Sequence, residues 1–250
     1  MSKAALFIPC LIDQAYPEIG MAMVRVLRQF NIEPVYNREQ VCCGQPAFNA
    51  GHNNEARIVA RHFLKAFNEY QPVVCPSGSC TALVQNYYPE LFADAPEELK
   101  KLKLFEFSQF LVTELGQKEH LGELNARISF HNSCHSLREL RVEEEPLQLL
   151  RKIKGAELIM PEGQPTCCGF GGLFSFKFAS VAATMAQSRL EIYRDLGIEI
   201  LVSNDPGCIS HMRAEAQERG INIEILHLAE ILDRALAGGS KEQLHKSTGS

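Results

Sequence analysis

Hydrophobic positions along the chain switch repeatedly between two periods. Short apolar runs at residues 4–9, 33–36, 73–74 and within LKLFEF (102–107) are too brief for helices and rich in Val, Ile, Leu and Phe, so they read as strands. Between them the spacing becomes helical. Pro17, a favoured first helical residue, precedes Ile19, Met23, Val26, Leu27 and Phe30 on one face. Residues 53–69 place Ile58, Val59, His62, Phe63, Ala66 and Phe67 at helical intervals. Further helices are expected from the Pro76–Ser79 turn to about Tyr88 and after Ser108.

The same order then recurs. Strands near 127–131, 156–160, 199–203 and 223–226 are separated by helices near 143–153, 177–195 and 207–218, and a last helix covers about 228–236. Alternating strands and helices predict an α/β fold with mainly parallel sheets flanked by helices. Right-handed crossovers bring the carboxyl ends of successive strands to one edge of each sheet. The expected division is residues 1–120, residues 121–237, and a polar, disordered tail at 238–250.

Cysteine spacing shows that the two halves are duplicates. Cys10 and Cys42 are separated by 31 residues, Cys134 and Cys167 by 32; the pairs Cys42-Cys43-Gly44 and Cys167-Cys168-Gly169 are followed by Cys80 and Cys208. Equivalent cysteines lie 124, 125 and 128 positions apart, and near-equal offsets of this kind mark an internal repeat. The flanking residues agree: LFIPC parallels ISFHNSC, CCGQPAF parallels CCGFGGLF, and VVCPSGSC parallels LVSNDPGC. Each repeated cysteine falls at or beyond the carboxyl end of a strand, the edge where open α/β sheets gather ligands. The reading is two separate cysteine pockets, one per half.

Composition narrows the chemistry. A chain of 250 residues, 46% hydrophobic, buries enough surface to fold without crosslinks, so nine cysteines need another explanation. A net charge of −5 with no basic stripe argues against nucleic acid. No apolar run approaches the roughly 18–20 residues of a membrane span, and residues 4–12 lack the flanks of a secretory signal. Odd-numbered cysteines without an export signal predict a reducing, cytoplasmic compartment.

Converging thiolates repel one another unless a cation sits among them, and soft sulfur selects zinc, copper(I) or iron–sulfur clusters. Structural zinc favours pairs such as C-x2-C, which neither half contains, whereas adjacent cysteines suit two atoms of a larger cluster. Spacing alone favours iron–sulfur and leaves zinc open.

The doubled pattern, with CCGQPAFNAG, PSGSC, HNSCH, CCGFGGLFS and NDPGC, resembles the cysteine-rich CCG domain family over residues 4 to 232. That family includes the heterodisulfide reductase B subunit, the anaerobic glycerol-3-phosphate dehydrogenase C subunit and the lactate utilization proteins, and the likeness is greatest to the last. The resemblance implies a [4Fe–4S] cluster in each half, held by Cys10, Cys42, Cys43 and Cys80 and by Cys134, Cys167, Cys168 and Cys208, with zinc open at one site. It also implies a complex with the ferredoxin-like lactate utilization protein B and a third subunit, oxidising a small 2-hydroxy acid, L-lactate, to pyruvate. The reductase pattern ends in C-x2-C; here Ser77 and Asp205 stand at those positions, so heterodisulfide reduction does not carry over.

Smaller features leave alternatives. His131, His135 and His211 flank cysteines and are either ligands or caps; Asp205 is either an oxygen ligand or the cap of the helix at Cys208. Cys75 is either a fifth ligand to the first site or a core thiol, its spacing being off the repeat. Ser77, Gly78 and Ser79 form either an anion-binding turn or a plain cap, and Gly169, Gly171 and Gly172 do not complete a dinucleotide fingerprint. Cys134 and His135, being adjacent, are poorly placed for nucleophilic catalysis on one substrate. Glu143–Glu145 open a helix with dipole-compatible charge. The competing functions are a zinc-stabilised binding module and a thiol–disulfide enzyme.

Overall fold

The computed structural model describes residues 2–114, 120–163 and 166–238. Two four-stranded, all-parallel sheets carry the fold. The strands are β1 (Ser2–Leu6), β2 (Ile32–Tyr36), β3 (Val73–Cys75) and β4 (Leu104–Glu106) in the first half. In the second they are β5 (Glu123–His131), β6 (Lys154–Leu158), β7 (Ile200–Ser203) and β8 (Glu224–His227). The orders are β2-β1-β3-β4 and β6-β5-β7-β8, so the duplication read from cysteine spacing is a duplication of topology. Registers correspond as well: Leu6 pairs with Val74, and Phe130 pairs with Val202. The expected disordered tail lies, from residue 239 on, outside the described residues.

The halves share a core. Helix Pro17–Gln29 buries Ile19, Ala22, Met23, Val26 and Leu27 and packs on helix Leu228–Leu236 of the other half. Reciprocally, helix Glu144–Arg151 packs on Phe107–Gln109. One apolar cluster runs from Leu6 and Met23 through Phe107 to Phe130, Leu150 and Leu232. Each large apolar side chain buried there contributes roughly 1.5–3 kcal/mol, so part of each half's stability comes from the other. A bidentate Arg25–Asp233 pair, at 2.7–3.0 Å, fixes the same seam.

Local differences from the sequence reading have physical causes. Helix Asn53–Phe67 turns Ala56, Ala60, Phe63, Leu64 and Phe67 inward, while Ile58 and His62 face solvent. Short helices at Cys10–Ala15, Gln45–Asn49 and Glu97–Lys101 were not expected; at five or six residues they have too little periodicity to announce themselves. The helix expected to reach Tyr88 does so through a π-helical turn, Leu83–Tyr87.

Candidate metal centre

Every repeated cysteine lies on the edge formed by the carboxyl ends of the strands. Cys10 opens helix Cys10–Ala15 after β1, and Cys134 opens the turn after β5. Cys80 and Cys208 sit in the first turns of helices Gly78–Ala82 and Pro206–Arg219. The adjacent pairs occupy the loops after β2 and β6. There Gly44 (φ +89°) and Gly169 (φ +90°) take left-handed conformations that turn their amides back onto Cys42 Sγ at 3.4 Å and Cys167 Sγ at 3.3 Å.

In the first half Cys10 Sγ lies 3.5 Å from Cys42 Sγ, and Cys43 Sγ lies 3.3 Å from Cys80 Sγ. In the second, Cys168 Sγ lies 3.0 Å from Cys208 Sγ. Hydrogen bonds from Cys10, then from Cys43, pull the Cys42 thiol down to about 3. Those from Cys134 and Cys168 pull Cys167 down to about 2, and the same bonds push Cys10 and Cys134 up. Each set thus holds one ready thiolate beside thiols pushed up, Cys10 and Cys43 in the first half and Cys134, Cys168 and Cys208 in the second. Cys43 is fixed by its own backbone, whose carbonyl accepts from the buried Tyr88 hydroxyl at 2.8 Å.

The two sets are not in separate pockets. Both open on one cavity of about 510 Å³ between the halves, lined by all eight repeated cysteines and by polar groups including Gln14, Gln45 and His135. Separate pockets were expected because each half was read as a self-contained sheet. The helices at Gly78–Ala82 and Cys10–Ala15 instead pack across the seam, against Ser136–Leu140 and Pro206–Arg219, and bring both edges together. Phe176, 84% exposed, stands at the rim.

The other candidate residues divide. Asp205 caps its helix, accepting from the Gly207 amide at 3.0 Å, and also reaches the Ser79 amide at 2.8 Å. Ser77 caps the helix at Cys80. Cys75 is buried off the cavity, its thiol 3.6 Å from the Ser77 carbonyl and pushed up by burial. His135 lies 3.7 Å from Cys134 Sγ and faces Glu139, while His211 bonds to the Ala182 carbonyl at 3.1 Å. His131 is different. It is buried, and its ring nitrogens group with Cys168 and Cys208 so that the donor atoms all lie within 4.8 Å of one another. Neither ring nitrogen has a hydrogen-bond partner among the described residues, and burial holds the imidazole neutral, its pKa lowered to about 4.

Four convergent sulfurs per half, with glycine amides aimed at one of them, fit an iron–sulfur cluster or another soft metal centre. The cysteine-rich CCG domain pattern matches residues 4–85 and again 128–213. The chain belongs to the CCG cysteine-rich domain family. Its similarity to lactate utilization protein A of Halalkalibacterium halodurans is 39% identity over 236 residues, covering 92% of this chain and 96% of that one. To lactate utilization protein A 2 of Bacillus cereus (strain Q1) it is 35% over 240 residues, covering 94% and 99%. A hypothetical protein of Helicobacter pylori shares the fold, with TM-score 0.63 and 12% identity over 96% of this chain and 50% of that one. Within this CCG chain no helix among the described residues is long and apolar enough to cross a membrane.

Sequence reasoning missed Tyr193, which packs with Cys168 and Cys208, and Arg189, which donates to the Tyr193 hydroxyl. The available signal was an arginine on the buried face of the 177–195 helix.

Proposed function

We propose that this chain is a cytoplasmic iron–sulfur redox subunit of a complex that oxidises L-lactate to pyruvate. The observation that carries the reading is the convergence of eight cysteines, in two sets of four, on one cavity between the halves. Its similarity along more than nine-tenths of its length to proteins named for lactate utilization supports the substrate. Removing two hydrogens from a 2-hydroxy acid releases two electrons and two protons, and the sequence carries no nicotinamide or flavin fingerprint. Iron–sulfur clusters bound by the two cysteine sets would supply one-electron carriers. The chain's own residues hold the sulfurs, with the Gly44 and Gly169 amides donating to Cys42 and Cys167. The ferredoxin-like lactate utilization protein B and a third subunit are the proposed partners. Exposed Phe176 at the cavity rim, with exposed Phe178 and Val181 close to it in sequence, suits such contact.

A second reading, zinc in the second half as a structural ion, is favoured by one observation: His131, Cys168 and Cys208 form a mixed nitrogen–sulfur donor set. The deciding measurement is iron, acid-labile sulfide and zinc per chain on anaerobically purified protein, with its visible spectrum. Iron with matching sulfide and a bleachable brown colour is expected. Zinc alone, persisting after cluster reconstitution, would leave a structural metal protein. Loss of growth on lactate after deletion, in a host lacking another lactate dehydrogenase, tests the substrate.

A further inference from the structure

The duplication permits a position-by-position comparison of what lies behind the two cysteine sets. Helix Asn53–Phe67 buries Ala56, Ala60, Phe63, Leu64 and Phe67; helix Ala179–Asp195 buries Ala182, Ala186, Arg189, Leu190 and Tyr193, each 126 positions further on. Three of the five matches keep an aliphatic residue. The other two replace Phe63 and Phe67 by Arg189 and Tyr193. At the ends of the central strands, Phe7, just beyond β1, corresponds to His131, the last residue of β5, 124 positions on, the same offset as Cys10 to Cys134.

In the first half these three positions form an aromatic cluster: Phe7 lies 4.8 Å from Phe63 and 5.8 Å from Phe67, ring to ring. In the second half they form a buried polar group. Arg189, 8% exposed, donates to the Tyr193 hydroxyl at 2.7 Å and stacks over its ring. It pairs with no carboxylate among the described residues. Burying an imidazole and a guanidinium is costly where three phenylalanines suffice, and the first half proves that they suffice for this fold. The buried imidazole has no partner for either nitrogen among the described residues and stands within reach of Cys168 and Cys208.

We propose that His131 gives an imidazole nitrogen to the metal centre held by Cys134, Cys167, Cys168 and Cys208. Arg189, fixed by Tyr193, is a positioning residue that sets positive charge behind that centre. The two halves therefore hold chemically different centres, all-sulfur in the first and mixed in the second. This rests on the metal-binding reading above and deepens it. Positive charge behind the second centre favours its reduced form, so that centre is the better electron acceptor.

The test uses the full chain, labelled with 15N-histidine and purified anaerobically, unsubstituted and as His131→Phe, His135→Ala and His211→Ala. Iron, sulfide and zinc are counted, and nitrogen coupling to the paramagnetic centre is read by pulsed EPR. Expected is a 15N coupling in the unsubstituted chain, kept in His135→Ala and His211→Ala and absent from His131→Phe. That last variant should also lose its second metal to a chelator roughly 10–100-fold faster. The first half's Phe7 shows that phenylalanine packs at this position. If His131→Phe nevertheless fails to fold, a coupling that survives in both alanine variants supports the assignment, and one that vanishes in either overturns it. Iron and sulfide without any 15N coupling, or a coupling unchanged in His131→Phe, overturns the histidine ligand and leaves the redox reading standing. Zinc without sulfide overturns the redox reading instead. The ligand is then judged by zinc-edge absorption, as one nitrogen neighbour lost, or not lost, in His131→Phe.

Discussion

The Ser77 hydroxyl donates to the Asp205 carboxylate at 3.3 Å, and these residues hold the same place in the two halves, three before Cys80 and three before Cys208. Each caps the helix that carries its cysteine. The same carboxylate also takes the Ser79 amide, so one side chain ties both helix starts together over the shared cavity. Both carboxylate oxygens thereby accept hydrogen bonds, which makes Asp205 a cap and a bridge.

Asp205→Ala should therefore cost about 2–4 kcal/mol, the sum of a lost cap and a stranded buried amide. Asp205→Asn, which keeps one acceptor, should cost about half as much. Urea denaturation with unchanged slope would measure this; an alanine variant within 0.5 kcal/mol of the parent, on the order of ordinary surface noise, would deny the bridge any weight.

The glycines after the cysteine pairs should not be equally replaceable. Both have positive φ, which costs an alanine roughly 1 kcal/mol. At Gly44 the added Cβ would approach the Val59 side chain most tightly, at 3.3 Å, with the Ala56 carbonyl oxygen at 3.6 Å, whereas at Gly169 it would fall 2.6 Å from the Ala182 carbonyl oxygen and 2.9 Å from Met185 Cβ. Gly169→Ala is expected to destabilise by about 3 kcal/mol or more and to release metal from the second half, against about 1–2 for Gly44→Ala. Comparable melting temperatures and metal contents for the two variants would contradict this.

Much of this arrangement was legible in the sequence because a duplication prints everything twice. Strand positions, parallel sheets and the eight cysteines followed from short apolar runs and near-equal offsets. The single cavity did not. It depends on helix packing between halves, such as Met23 and Val26 against the Leu228–Leu236 helix, and a core that joins two units leaves the same apolar stripe as one that serves a single unit. His131 was visible as a residue beside Cys134, but its lack of a hydrogen-bond partner among the described residues is a property of its surroundings alone.

Cys75 offers an internal control for the ligand assignment. Its thiol is fully buried, points to the Ser77 carbonyl and stays off the cavity. Cys75→Ala should keep the full metal complement at a cost of roughly 1–2 kcal/mol for the small void, while Cys42→Ser and Cys167→Ser, each removing the thiol that ionises first, should each empty one centre. Metal analysis on the three variants decides the matter, and loss of metal from Cys75→Ala would return that residue to the ligand set.

Glu106 makes stability depend on pH in a direction opposite to the usual carboxylate. It ends β4 and caps the following helix, its carboxylate accepting from the Ser108 and Gln109 amides, yet its other oxygen has no partner among the described residues. Burial raises it from 4.5 to about 7, against the pull of those hydrogen bonds and with Glu145 adding to the rise. Between these values the unfolded chain has released the proton and the folded chain keeps it. Stability must therefore fall as pH rises from about 4.5 to 7, by up to about 3 kcal/mol at 1.36 kcal/mol per unit, and change no further above that. His227, the corresponding cap in the second half, acts the other way: burial lowers it from 6.5 to about 3, so its contribution is lost as pH falls below 6.5. The net profile mixes the two, but the difference between Glu106→Gln and the parent isolates the first. Glutamine keeps the accepting oxygen and cannot ionise, so the variant should gain on the parent steadily from pH 4.5 to 7 and then hold its lead. Denaturation curves across that range would show a rising difference; a flat one would mean that Glu106 is already ionised in the folded chain at low pH, with solvent or a partner reaching its free oxygen.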